Sequence, residues 1–180
     1  MPMGHTDASQ KAAEQLAFLA EYFVDLPLAR RRPIRQIEDV APCNVDTVSH
    51  IHASVREIAD YMAVESPGTL EPLPASAPAV YDWLIRNTDT DDDAAKRRRD
   101  SLVYRQYLEH AIAAGDPTVV RRHPCPGCGC FGLHWRAPIG KAVCRNRTCR
   151  TPEGRAQVWS LAFLAHEYIE SQEKRAARAT

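Results

Sequence analysis

Two pairs of cysteines form the pattern in this chain that most clearly indicates chemistry. Cys125-x2-Cys128 and Cys144-x4-Cys149 are separated by fifteen residues, a pattern that indicates four thiolates around one zinc ion about 2.3 Å away. Most zinc ribbons have two residues between the cysteines of each pair, and the second pair here has four, which a longer loop can accommodate. Four thiolates complete the tetrahedral shell and leave no open position for water. The sequence therefore predicts one Zn²⁺ ion that stabilises the fold and takes no part in catalysis.

Further potential ligands lie close to this pattern. Cys130 follows the first pair and could replace one of the four cysteines, although a small buried thiol that packs like an apolar side chain is the simpler interpretation. His123 and His134 add two nitrogens in the same stretch. Cys43 is distant in sequence, in a helical region, and is expected to be a core or turn residue.

The residues between the two pairs have the pattern of a small sheet. Larger side chains alternate with a glycine and a histidine over residues 131–135, which is the periodicity of a strand. A turn at 138–140, a return strand and a third strand at about 155–159 would complete a zinc ribbon, which we place at 121–159. A ribbon of about 40 residues has little core, so its folding depends on the metal.

The rest of the chain is predicted to be helical, so the fold class is mainly α with a small β zinc ribbon. Leu16 and Leu19 belong to one apolar face of a first helix. Ser160 is placed to cap the final helix, with Trp159 and Leu164 as its hydrophobic staple. The predicted organisation is a helical region at 1–64, a Pro-rich linker at 65–79, a second helical region at 80–120, the zinc ribbon at 121–159 and a C-terminal helix at 160–180.

A run of four basic residues, 96–99, has two possible interpretations. Three aspartates at 91–93 precede it, and Lys96 and Arg97 each follow one of them by four residues, the spacing of a stabilising helical ion pair. We favour a solvated helix face with acidic partners. The alternative is a contact with nucleic acid.

Residues 37–51 weakly resemble a helix-turn-helix, with Thr47 and Ser49 exposed on the second helix. Pro42 occupies the turn, and the acidic residues nearby would repel phosphate. A plain pair of helices is the better interpretation of this segment.

Charge is distributed unevenly along a chain whose formal net charge is zero. Residues 1–120 contain 12 Lys+Arg and 19 Asp+Glu, whereas residues 121–180 contain 11 Lys+Arg and 4 Asp+Glu. Between residues 121 and 155 Glu153 is the only acid, and seven of the eight basic residues are arginines, which suit bidentate phosphate contacts.

A basic ribbon of this kind indicates DNA or RNA as a partner. Phe131 and Trp135 could stack on bases, although the core of the ribbon is the simpler place for both. The arginines could instead form a solvated surface or dock onto the acidic helical part, and the ribbon could be a module that binds another protein. The candidate nucleic-acid-binding residues are Arg136, Lys141, Arg145, Arg147, Arg150 and Arg155, together with Arg121 and Arg122.

Other functional classes have little support in the sequence. No apolar run approaches the roughly 20 residues of a membrane helix, and the N-terminus lacks the features of a secretory signal, so a cytoplasmic location is expected. The common nucleotide-binding, hydrolase and metalloprotease motifs do not occur. His50 and His52 face different sides of a helix, and His110 is isolated in sequence. We therefore expect neither an enzyme nor a small-molecule substrate.

The segments CPGCGC (125–130), CRNRTC (144–149) and EGRAQVWSLAFLA (153–165) together resemble a group of uncharacterised actinobacterial and actinophage proteins. Those proteins have helical N-terminal parts, a zinc ribbon of this spacing and a helix that starts after a tryptophan. The resemblance covers roughly residues 80–172. It implies a cytosolic protein associated with a phage or mobile element that binds DNA, and it implies no established activity.

Overall fold

The computed structural model describes residues 5–23, 45–68, 71–88 and 91–179. These ranges are mostly helical and include one small antiparallel sheet followed by a C-terminal helix, which confirms the predicted fold class. The helices are α1 (His5–Phe23), α2 (Val45–Glu65), α3 (Val80–Asn87), α4 (Asp93–Ala113) and α5 (Leu161–Ala179), and the strands are β1 (Leu133–Arg136), β2 (Lys141–Cys144) and β3 (Val158–Trp159).

Helix α4 lies at the centre of the helical part, where it packs against α1, α2 and α5. Leu16 and Leu19 of α1 are fully buried, as the apolar face of that helix predicts, and Leu108 of α4 is buried with them. Burial of a leucine side chain contributes about 1.5–3 kcal/mol. The core is thus built around α4, which also forms the support for the residues that follow it.

The ends of α4 follow from local sequence. Asp92 is the N-cap, and its carboxylate accepts a hydrogen bond of 2.8 Å from the N–H of Ala94. The helix ends at Ala113, and Gly115 adopts a positive φ of 92°, a conformation that glycine tolerates without strain. Both ends agree with the sequence, which has aspartates before the helix and Gly115 after it.

The basic run at 96–99 does not form the solvated face that we expected. Its acidic partners lie far away in sequence: Arg97 pairs with Glu173 of α5 at 2.8 Å, and Arg98 pairs with Glu65 of α2 at 3.0 Å. Arg99 is buried and pairs with its neighbour Asp100. Acidic partners are therefore correct, but the run holds helices together, because α4 passes between α2 and α5.

The weaker of the two interpretations of residues 37–51, a helix-turn-helix, disagrees with the structure in one respect. Thr47 is buried, whereas a residue that reads DNA bases must be exposed. Ser49 is exposed. The turn of that motif, with Pro42 and Cys43, lies outside the described residues.

The segment before α3 is fixed to that helix by one acidic residue. The carbonyl oxygen of Glu71 accepts a hydrogen bond from the indole N–H of Trp83, and its carboxylate binds the side chains of Arg86 and Asn87. A short 3-10 helix, Ala77–Ala79, then leads into α3.

The sheet has the strand order β1–β2–β3, with both pairs antiparallel. In its register Leu133 faces Cys144 and Arg136 faces Lys141, and Gly140 closes the β1–β2 connection with a left-handed φ of 58°. The third strand is shorter than predicted, since only Val158–Trp159 pair with β2. We call residues 121–160 the cysteine module.

The start of α5 agrees with the sequence at the cap. The hydroxyl of Ser160 accepts a hydrogen bond of 3.1 Å from the N–H of Phe163, so Ser160 is the N-cap as predicted. The ring of Trp159 stacks on Phe163, with centroids 5.1 Å apart, and Trp159 packs against the core. Leu164 belongs to that core, where it is 2% exposed.

No helix within the described ranges combines the length and the apolar character needed to cross a membrane.

Candidate metal centre

The sulfurs of Cys125, Cys128, Cys144 and Cys149 lie within 4.8 Å of one another. Two of the sulfur–sulfur distances, Cys125–Cys149 and Cys128–Cys144, are both 3.8 Å. A tetrahedral ion with metal–sulfur distances of about 2.3 Å requires sulfurs about 3.8 Å apart. The four predicted ligands are therefore brought together in an arrangement that could hold one metal ion.

Two tight turns place these sulfurs. In the first, the N–H groups of Cys128 and Gly129 both bind the carbonyl oxygen of Cys125, at 3.2 and 2.7 Å, and Gly129 has a positive φ of 71°. In the second, the N–H of Cys149 binds the carbonyl oxygen of Asn146 at 3.1 Å. This second turn brings the sulfurs of Cys144 and Cys149 together although four residues separate them, rather than the more common two.

The four cysteines differ in their exposure to solvent. Cys125, Cys144 and Cys149 are buried, whereas Cys128 is exposed. The N–H of Cys130 and then the amide of Asn146 bind the Cys128 sulfur and lower the pKa of that thiol to about 6. Burial raises the pKa values of Cys144 and Cys149. Buried thiols become thiolates when a cation compensates their charge, which is the chemistry of a metal site.

Cys130 is outside the group of four sulfurs in the described part of the chain, and it is exposed. The prediction of a small buried thiol is therefore wrong. The turn after Cys128 directs residue 130 outward, where the amide of Asn146 lies 3.5 Å from its sulfur and 3.6 Å from that of Cys128.

The two histidines near the cluster are also separate from it. His123 is 3% exposed and packs edge-on against Tyr104 of α4 and Tyr168 of α5. Burial, with a smaller effect of Arg122, lowers the pKa of His123 to about 4, so the ring is neutral at pH 7. His123 thus joins the cysteine module to the helices.

His134 is on β1, and its Nδ1 atom is buried without a hydrogen-bond partner among the described residues.

The basic side chains of the cysteine module differ from those of the helices in their partners. Arg86, Arg97, Arg98, Arg99 and Arg105 of the helical part each pair with a carboxylate. No Lys or Arg between residues 121 and 155 pairs with an acid in the ranges that the structure describes. All eight are exposed except Lys141, which is half-buried.

The structure groups some of these cations. Arg136 and Lys141 face each other across β1 and β2. The guanidinium of Arg150 donates a hydrogen bond of 3.0 Å to the carbonyl oxygen of Arg147, which places both beside the turn that ends at Cys149. We call residues 144–150 the second metal turn, after the ion that its cysteines could hold. Arg145 lines a small pocket together with Arg121, and Arg155 lies apart in the turn before β3.

The two aromatic residues that we expected in the core of the ribbon differ. Phe131 is 72% exposed because it precedes β1 and lies outside the pleat of the sheet, so that expectation is wrong. Trp135 is half-buried and packs against the core. Leu133, Ala142 and the ligand candidate Cys144 are the buried side chains of the sheet.

A second polar cluster lies in the helical part and was not evident from the sequence. Nε2 of His50 lies 2.8 Å from Nδ1 of His110, whose other nitrogen binds the hydroxyl of Tyr81, and that hydroxyl donates to Gln106. Burial lowers the pKa of His110 to about 3, so it is neutral. His110 is thus not isolated, and because both its nitrogens are engaged it supports the core rather than a ligand.

The chain matches no protein-family model, and comparisons with curated proteins and with solved structures give no match. Its function is therefore inferred from the metal centre and the charge around it.

Proposed function

We propose that the four cysteines hold one structural Zn²⁺ ion and that the basic cysteine module binds nucleic acid through phosphate contacts. Four thiolates at tetrahedral distances are the ligand set that zinc prefers in structural sites. When bound, the ion supplies folding free energy and cross-links the two turns. No enzymatic activity is part of this proposal.

The observation that carries the proposal is the contrast in ion pairing. Five arginines of the helical part pair with carboxylates such as Glu65 and Glu173. Arg56, Arg175 and Arg178 are exposed and have no acidic partner among the described residues. The seven arginines between 121 and 155 extend into solvent with no acidic partner among the described residues. Uncompensated, exposed guanidinium groups on one small module favour a polyanionic partner.

The metal turns supply the positioning. Arg145 and Arg147 are held within six residues by Cys144 and Cys149, and the N–H of Arg145 binds the carbonyl oxygen of Gly132 at 2.9 Å. A backbone fixed in this way loses little entropy when its side chains contact phosphates. The guanidinium groups then form charge-assisted and bidentate hydrogen bonds with phosphate oxygens.

The proposal is tested by titrating the zinc-loaded protein into labelled mixed-sequence duplex and single-stranded DNA at two salt concentrations. Zinc content is measured on the same sample. Binding that weakens steeply as salt increases is the expected result, because each neutralised phosphate adds about 0.9 to the log–log slope for a duplex. No binding at low salt by protein that contains zinc would overturn the proposal.

A protein partner is the second candidate, and exposed apolar side chains of the module favour it. Phe131, Ile139 and Val158 are 72%, 54% and 46% exposed. Salt-insensitive capture of a partner that is lost in Phe131→Ala and retained in Arg145→Ala would favour this function over nucleic-acid binding.

A further inference from the structure

A small pocket lies where the cysteine module meets the end of the helical part. The 3-10 helix Pro117–Arg122 packs against β1, and the pocket opens between them with a volume of about 120 Å³. A water molecule occupies about 30 Å³ in the liquid, so this space admits a tetrahedral oxyanion such as phosphate. The lining residues are Pro117, Thr118, Arg121, His134, Trp135 and Arg145.

The charge of the pocket is positive. Arg121 and Arg145 converge on it from two elements, and neither pairs with an acid within the described ranges. Asp116, the N-cap of this 3-10 helix, accepts hydrogen bonds from the N–H and the hydroxyl of Thr118. Asp116 does not line the pocket, and among the described residues it forms no ion pair with either arginine.

A third group in the lining is also unpartnered. The ring of His134 lines the pocket, and its Nδ1 atom is buried with no hydrogen-bond partner in the described part of the chain. A buried polar atom without a partner costs roughly 1–3 kcal/mol. His134 is thus the third polar side chain of the lining, beside Arg121 and Arg145.

We propose that this pocket binds one phosphate group of a nucleic acid, held between Arg121 and Arg145 with the His134 ring beside it. This inference rests on the proposed function and adds a defined anchoring site to an otherwise diffuse basic surface. Arg121 belongs to the 3-10 helix that follows α4, and Arg145 lies between Cys144 and Cys149. The bound phosphate therefore bridges the end of the helical part and the second metal turn. The site fixes the register of the strand on the module.

The first test follows inorganic phosphate directly on the full zinc-loaded chain. The ring signals of His134 are recorded by NMR during a phosphate titration, with chloride at equal ionic strength as the control. A saturable shift at His134 that is absent in Arg121→Ala supports the pocket. Signals that do not move, or that move equally with chloride, would overturn it.

The second test uses matched charge removals and a short oligothymidylate with a 5′-phosphate or a 5′-hydroxyl. Arg121→Ala and Arg145→Ala should each weaken binding about tenfold, since each loses a hydrogen bond to a charged group. Arg155→Ala removes the same charge outside the pocket and should weaken binding about threefold or less. The double variant should lose less than the product of the single losses, because both arginines contact one phosphate.

The outcomes distinguish the proposed phosphate pocket from nucleic-acid binding by the module as a whole. A preference for the 5′-phosphate identifies a terminal phosphate as the ligand, and equal affinities combined with the Arg121→Ala loss identify an internal one. Salt-sensitive binding in which Arg121→Ala behaves like Arg155→Ala would remove the pocket and leave nucleic-acid binding intact. If Arg121→Ala does not fold, Arg121→Gln and the wild-type titration at His134 decide the question.

Discussion

The sulfurs of Cys125 and Cys149 lie 3.8 Å apart although 24 residues separate them in the chain. This pair closes the β1–β2 hairpin into one loop, because β1, β2 and the turn between them all lie between the two cysteines, whereas β3 follows Cys149. The buried apolar side chains of the sheet are few. The two sulfurs are therefore placed where the proposed zinc ion would hold the two ends of this hairpin together.

Replacing Cys149 should unfold the cysteine module and leave the helices folded. In Cys149→Ser the hydroxyl cannot provide the thiolate that the ion requires, so we expect zinc content to fall from one ion per chain to a small fraction. Fluorescence should show Trp135 and Trp159 entering water, while far-UV circular dichroism retains most of the helical signal. Full zinc content in Cys149→Ser would show that this residue is not a ligand.

Cys130 provides the matched control for that experiment. Its thiol is exposed and lies outside the four-sulfur group, so Cys130→Ser should keep one zinc ion per chain and change the free energy of unfolding by less than about 0.5 kcal/mol. Metal analysis and thermal unfolding measure both. A loss of zinc equal to that of Cys149→Ser would place Cys130 among the ligands instead.

Arg98→Ala and Arg99→Ala should lower the free energy of unfolding by very different amounts, although the two residues are neighbours. Arg99 is buried against Asp100 and donates to the carbonyl oxygen of Thr88, so Arg99→Ala leaves a buried carboxylate without its cation and should cost about 3–5 kcal/mol. Arg98 is half-exposed beside Glu65, and Arg98→Ala should cost less than about 1 kcal/mol. Urea unfolding measures both. Similar costs for the two variants would contradict the placement of Arg99 in the core.

Neutral His110 makes stability dependent on acid pH. Folding lowers the pKa of His110 from 6.5 to about 3, so between these values the unfolded chain holds a proton that the folded chain does not. Stability is therefore complete above pH 6.5 and is lost as pH falls, by about 1.4 kcal/mol per pH unit. The stability difference between wild type and His110→Gln, measured by urea unfolding at several pH values, should shrink as pH falls from 7 to 5. A constant difference would mean that folding does not lower the pKa of His110.

The sequence was sufficient for features that depend on local spacing. The two cysteine pairs, the cap at Ser160 and the strand that begins at Leu133 are determined by residues close in sequence. The structure brings the four sulfurs together, forms the cap and forms the strand. Phe131 shows the limit of that reasoning, since it continues the alternation but lies just outside the strand. Phe131 is exposed because the pairing of β1 with β2 begins only at Leu133.

Long-range relationships could not be predicted. His50 and His110 are 60 residues apart, and nothing near either of them indicates a hydrogen bond between their rings. The partner of Arg97 is 76 residues away, whereas the sequence offered a nearer aspartate. The pocket shared by Arg121 and Arg145 likewise depends on how the 3-10 helix packs against β1. Such contacts follow from packing, which a single sequence does not specify.

The most direct measurement is the salt dependence of DNA binding by zinc-loaded wild type and by the variant Arg145→Ala/Arg147→Ala. Arg86→Ala, which removes an exposed but ion-paired guanidinium from α3, is the control. If the metal turn contacts phosphates, the log–log slope against salt should fall by up to about 2 in the double variant and stay unchanged in the control. Equal slopes in all three proteins, each with full zinc content, would show that Arg145 and Arg147 do not touch the nucleic acid.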